Sequence, residues 1–446
     1  MKMSTDGALN ISRRDAISIL AAAAVGSGAI GGSAIASGAI GAGQLAAESD
    51  SAASPSSGPG AKNFRVRTLT AGTPITSFAD THSVEAALDF LGKARRRFEQ
   101  AGYVVQTIRV ALNPLLVGAS SAARADALPN LAALDGLAAA HGAVISIGPV
   151  FSAGDVDGTI GAWALRLAQA TKVLSFSGSV ASAVQGVHRE AIVMAAQVIS
   201  ALGGAGGGGI ANFRFAAAAC VPAGTPFFPV AYHEGPPSLA VGLETPNLVR
   251  QAFAAAKDPS QASERLRVLL DAELRPVEKL AEIAAEQGKR RYLGIDTSPA
   301  PGRDSSIGLA LETLTGQPFG SASTLQACAA VTAAIKSVAV MTCGYSGLML
   351  PILEDPILAD RVTEGRIKIS DLLLYSTVCG TGLDVVPVPG DAAVQDLARV
   401  IGDVATLAVR LKKPLSARLF TVPGKRVGEQ VEFADPLLCS SKVMSL

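Results

Sequence analysis

The sequence predicts an α/β protein built as one large barrel-like domain over residues 63–446, and three observations predict it. From residue 64 onward, short β-rich runs alternate with longer amphipathic runs, the pattern of successive βα units. Hydrophobic residues make up 49%, charged residues 17% and aromatics 4%, an Ala/Gly/Val-rich mixture that can bury a large core and is unlike a disordered chain. The third observation is an element written twice, Gly294-Ile295-Asp296-Thr297-Ser298-Pro299-Ala300-Pro301-Gly302-Arg303-Asp304 and Gly382-Leu383-Asp384-Val385-Val386-Pro387-Val388-Pro389-Gly390-Asp391. Each copy ends a short apolar run on an aspartate, follows it with a Pro-x-Pro-Gly turn and offers a second aspartate as a helix cap. Loops leaving the carboxyl ends of strands are where α/β proteins build their sites.

Taken in order, residues 64–70 read as a strand, 83–100 as an amphipathic helix with an arginine-rich outer face, and 103–111 as the next strand. Helical and extended character then alternates at 132–141, 143–147, 161–170 and 172–177, before a strong helix at 186–202. The glycine run 203–209 lacks the Lys-Ser/Thr of a phosphate-binding loop and does not follow a strand, so it reads as a flexible connection. Residues 212–220 return to strand character, and 221–237 form a long Pro-rich loop of the kind that is usually functional. Residues 246–288 are mostly helical and 291–296 extended, with Asp304 or Ser305 capping the helix that runs through Leu314. Helices are expected at 322–337, 354–363, 369–375 and 392–411, with extended runs at 377–383 and 416–420.

The N-terminus reads as a targeting segment. Arg13 and Arg14 precede a weakly apolar stretch of Ala, Gly, Ser and Ile, with small-residue cleavage sites at 34–36 and 45–47. Residues 1–47 are therefore expected to be a Tat-like export signal rather than a membrane anchor, residues 48–62 a polar linker, and the mature protein periplasmic or secreted. The export machinery is then one partner. The 38 basic and 37 acidic side chains nearly cancel, which argues against nucleic acid; homo-oligomerisation is left open. Five cysteines, with no CxxC pair and no zinc spacing, predict no disulfide framework.

Several ordered strings carry a resemblance: Phe64-Arg65-Val66-Arg67-Thr68-Leu69-Thr70-Ala71-Gly72, Asn212-Phe213-Arg214-Phe215, the 225–235 run, both aspartate loops and the 418–433 run. Together they resemble the uncharacterised DUF711 family, also called UPF0210, over nearly all of residues 64–435. The resemblance implies a ten-stranded α/β barrel similar to those of pyruvate formate-lyase and ribonucleotide reductase, and no established reaction. Gly424-Lys425-Arg426-Val427-Gly428 is not the Arg-Val-x-Gly-Tyr type of glycyl-radical loop, which argues against radical chemistry.

Asp296 and Asp384 are the leading catalytic pair. Facing one another, they could bind a divalent metal or divide acid and base roles; alternatively each holds the backbone amides of its own turn. His233 and Glu234, in the Pro-rich loop, are the leading general base or metal ligand among four histidines, set against a merely hydrogen-bonded loop histidine. Cys343 and Cys379 lie beside glycines that let a ligand approach closely, and Lys425 and Arg426 are candidates to hold an anionic group; packing and a solvated turn explain them as well. The expected function is an exported hydrolase or lyase acting on a small polar metabolite at a carboxylate-lined barrel mouth. The alternative is a non-catalytic small-molecule binding protein.

Overall fold

A computed structural model of the chain describes residues 62–446. The twin-arginine segment and the linker up to residue 61 lie outside the described residues. Five strands run parallel, β1 (Arg65–Thr73), β2 (Val105–Leu112), β3 (Ala143–Pro149), β4 (Leu174–Ser182) and, after the two-residue β5 (Gly186–Val187), β6 (Phe215–Ala219). A second group contains β7 (Ser238–Glu244) parallel to β8 (Arg291–Pro299), and β9 (Gly382–Pro389) parallel to β10 (Leu415–Val422). The groups meet antiparallel twice, β7 on β1 and β10 on β6, giving the path β8-β7-β1-β2-β3-β4-β6-β10-β9. β5 pairs only with β4, and β11 (Gln430–Val431) and β12 (Ser441–Lys442) form a separate ribbon.

Helices cross between strands as βαβ connections require. They are α1 (Thr81–Gln100), α2 (Ser121–Ala140), α3 (Ile160–Ala170) and α4 (Arg189–Gly203) in the first group, and α5 (Pro246–Ala254) and α6 (Pro259–Gln287) between β7 and β8. α7 (Ile307–Thr315), α8 (Thr324–Ile335), α9 (Pro356–Thr363) and α10 (Ile369–Tyr375) separate β8 from β9, and α11 (Val394–Leu411) joins β9 to β10. α11 shows why they dock: Leu397, Val400, Ile401, Val404, Ala405 and Ala408 fall on one face at three- and four-residue spacing and are all buried.

The sheet has two distinct faces, read most directly from β6. Phe215, Ala217 and Ala219 join the large core shared with the helices, whereas Ala216 and Ala218 join a small cluster with Phe227, Val230, Ala300, Tyr345 and Met349. That second face is curled inward. Strands β1 and β10 are five steps apart on the path, about 24 Å on a flat sheet, with side chains pointing the same way. Arg67 of β1 and Arg418 of β10 nonetheless bind one carboxylate, Glu354, at 2.6 and 2.8 Å, so the two strands face each other across an interior.

An irregular segment bridges the sheet edges. Thr342 pairs with Ile295 of β8 and Pro351 with Asp384 of β9, both in the parallel sense. The barrel-like circuit is thus nine main strands with this segment between β8 and β9. Here Gly347 and Gly380 pack backbone against backbone, leaving no room for a Cβ on either.

Some local structure differs from expectation. β8 and β9 continue through their prolines, so Asp296 and Asp384 lie within strands and not in the loops after them. Proline is tolerated because these are edge strands, where one side makes no full ladder. Residues 377–381 form turns ahead of β9, and 207–214 form a 3-10 helix before β6. The apolar run of β7, which follows two prolines, has no counterpart among the expected strands. Ser306 and Asp355 cap α7, whereas Asp304 pairs with Arg65. α11 begins at Val394 with Ala393 as N-cap, so Asp391 does not take the capping place.

Candidate functional site

The interior is crossed by a chain of buried charges. Arg65 and Arg67 project from β1, on either side of Val66; Arg65 meets Glu244 at 2.8 Å and Asp304, and Arg67 meets Glu354 at 2.6 Å and Glu244 at 3.7 Å. Arg418 binds Glu354 at 2.8 Å and donates from Nε to Asp384 Oδ1 at 2.7 Å. Arg67, Glu244, Glu354, Asp384 and Arg418 are each no more than 6% exposed. Burial pushes the Asp384 carboxyl up while Arg418 pulls it down, burial being the larger effect. Phe213 stacks on the Arg418 guanidinium, 4.7 Å from its ring centroid.

Asp296 has a different environment. Fully buried, it accepts from its own turn, Ser298 N at 3.1 Å and Ser298 Oγ at 2.6 Å, and from the bridging segment, Tyr345 N at 2.8 Å and Ser346 N at 3.0 Å. Burial raises its carboxyl to about 6, and these four donors restrain the rise. Gly344 at φ +64° passes so close that a Cβ there would strike the carboxylate. Asp296 therefore pins the turn that presents Tyr345.

Tyr345 connects the two aspartates: its amide is held by Asp296 and its ring lines a small cavity with Asp384, Arg418, Ser416, Thr381 and Phe228. The cavity has room for about one or two water molecules. Tyr345 is 5% exposed and its Oη completes no hydrogen bond; Ser416 Oγ, which donates to Thr381 O at 3.0 Å, lies close enough to draw the phenol's pKa down without closing a bond to it. Burial and the two nearby carboxylates push the phenol well above its usual value.

The loop 221–237 fills the rest of the interior. Ser146 Oγ donates to Ala231 O at 2.7 Å, Thr70 Oγ1 to Pro226 O at 3.3 Å, and His233 N to Leu112 O at 3.0 Å. His233 is buried against Gly72, its Nε2 paired with Gly235 O at 2.9 Å and its Nδ1 3.4 Å from Ser238 Oγ. Burial lowers its pKa. Glu234 beside it is exposed, as are Lys425 and Arg426 in the turn after β10. Cys343 lies next to Asp296 and Cys379 is buried before β9; burial raises both thiols, which keeps them protonated and weak as nucleophiles. The structure thus brings Asp296, Asp384 and Cys343 towards Tyr345, whereas His233 is held by Gly235 and Ser238 against Gly72 and Glu234 stands exposed beside it. Among the described residues no three His, Cys, Asp or Glu side chains group as a metal site, and no helix is long and apolar enough to cross a membrane.

Four residues of the site, Arg67, Tyr345, Glu354 and Arg418, are absent from the sequence-based candidates. A local signal existed for the two arginines: each is a charge inside a short run of strand residues, where a buried guanidinium needs a partner. Tyr345 and Glu354 carry no such signal.

Fold and site together define a barrel-like α/β protein whose interior holds a buried ionic network beside a polar cavity. The chain belongs to the DUF711 family: the family model described as uncharacterised ACR (DUF711) matches residues 60–435. It is 31% identical over 265 residues to a UPF0210 protein of Pyrobaculum arsenaticum, covering 56% of this chain and 57% of that one. A UPF0210 protein of Acetivibrio thermocellus is 29% identical over 294 residues, covering 62% and 64%. One from Ligilactobacillus salivarius is 30% identical over 236 residues, covering 49% and 53%. The matches therefore span between half and two thirds of these relatives.

Proposed function

We propose that this protein binds a small polar metabolite in the cavity beside Asp384 and Arg418 and transforms it as a hydrolase or lyase, with Tyr345 as hydrogen-bond donor to the reacting oxygen. One observation carries the reading: a buried phenol that completes no hydrogen bond, with only the Ser416 hydroxyl close enough to act on it, lines the same cavity as a carboxylate and a guanidinium. Such a hydroxyl costs about 1–3 kcal/mol when unsatisfied, and a ligand acceptor recovers that. A phenol whose pKa is raised stays protonated, which suits it to donate a hydrogen bond to charge developing on a ligand oxygen and not to exchange its proton. Asp296 is a positioning residue, holding the turn that carries Tyr345. The twin-arginine segment supports export of the folded chain.

The second reading, a binding protein without turnover, is favoured by the way the carboxylates here are tied by guanidinium groups or backbone amides. That arrangement fixes a shape more readily than it takes up a proton. A thermal-shift screen of polar metabolites on the wild type and Tyr345→Phe, followed by NMR turnover assays of the hits, separates the two. Hits should bind about tenfold more weakly to the variant, and turnover should fall by about 100-fold or more. Equal binding by both proteins overturns the cavity as the site, and binding without turnover in the wild type selects the second reading.

A further inference from the structure

Resting on that cavity as the binding site, the inference concerns what it binds. Three polar groups in its wall make no hydrogen bond to the protein among the described residues, and of these Tyr345 Oη is the one also sealed from solvent. Asp384 receives its hydrogen bond from Arg418 on Oδ1 alone, leaving Oδ2 without a donor. Arg418 donates through Nε and Nη2, leaving Nη1 without an acceptor. The third is Tyr345 Oη. The site therefore presents an anionic acceptor and a cationic donor on side chains that touch each other, flanked by Phe227, Phe228, Val230 and Met349.

We infer that the ligand is a compact zwitterion of the α-amino acid type, its ammonium on Asp384 Oδ2, its carboxylate on Arg418 Nη1 and its side chain against the apolar wall. A lone anion fits poorly, because Arg418 already answers Asp384 and Glu354, and a third negative charge would enter a buried site without its own cation. A lone amine fits poorly as well, leaving Nη1 unanswered beside a new positive charge. Opposite charges on the two groups flanking one carbon satisfy both side chains and bring no net charge into the interior. The cavity holds only about one or two waters, so the ligand is small, and half-buried Phe228 is the side chain whose movement makes room.

The test is isothermal titration of the full chain with L-alanine, and with propionate and ethylamine, which each lack one charge. L-alanine should bind, and each half-ligand should bind at least about tenfold more weakly. Asp384→Asn should weaken L-alanine about tenfold and strengthen propionate, because it removes one of the two anions that Arg418 already answers. Propionate or ethylamine binding as tightly as L-alanine, or equal L-alanine binding by the variant, overturns the inference. Circular dichroism and a melting curve establish that the variant is folded; if it is not, the half-ligands and Tyr345→Phe decide. If L-alanine fails while other metabolites still stabilise the wild type through Tyr345, the zwitterion falls and the cavity stands. If no metabolite depends on Tyr345, both fall.

Discussion

Asp296 shows how one carboxylate can be obligatory and uncomfortable together. It organises four donors from two segments, yet burial holds its carboxyl near 6, above the ordinary 3.8. The folded state then binds more protons at this site than the unfolded one between those values, so the contribution of Asp296 to stability is greatest below about pH 4 and is lost as pH rises through 6. The loss is on the order of 3 kcal/mol. Asp296→Asn should flatten this part of the urea-midpoint profile, and at pH 4 should itself be less stable by about 1–3 kcal/mol, because its NH2 faces backbone donors. A wild-type profile that is flat between pH 4 and 6 would contradict the argument. The sequence marked Asp296 through its repeated turn, and its hydrogen bonds to Ser298 are the turn-holding role Asp often takes. Its bonds to residues 345 and 346 were not legible, because they lie about fifty positions along the chain.

At the scale of elements, the segment that bridges β8 to β9 depends on the absence of side chains. Gly380→Ala would press a Cβ into the Gly347 backbone, which can relieve it only by moving the segment. We expect a loss of about 3 kcal/mol by urea denaturation, with faster hydrogen exchange at residues 341–352 than in α11. Unchanged exchange there would show that the segment is not held by this contact. Periodicity revealed α1, β2 and α11 because an amphipathic pattern is local. The same signal failed for β7, which is buried at every position and so shows no alternation, and for β9, whose prolines read as a loop until its edge position is known.

For the whole molecule, the Arg67–Glu354–Arg418 link ties opposite sides of the curled sheet. Glu354→Gln would leave two buried guanidiniums without their shared charge, at a cost of about 3–5 kcal/mol. Because the groups are nearly inaccessible, the cost should change little between low and high salt, unlike that of a surface pair. Denaturation at both salt levels checks this, and a loss that vanishes in high salt would place the network at the surface.

By itself the sequence determined the α/β alternation, most of the helices and strands, the aspartate repeat and, through ordered motifs, the family. These properties are written in near neighbours, where hydrophobic period, turn residues and caps act over a few positions. The tertiary structure alone decided that Asp296 and Asp384 meet through Tyr345, and that Arg67, Glu354 and Arg418 form one charged bridge. Those partners stand 287 and 64 residues apart. Only the curl of the sheet, which turns its polar face inward and forces each buried charge to find its opposite, brings them together.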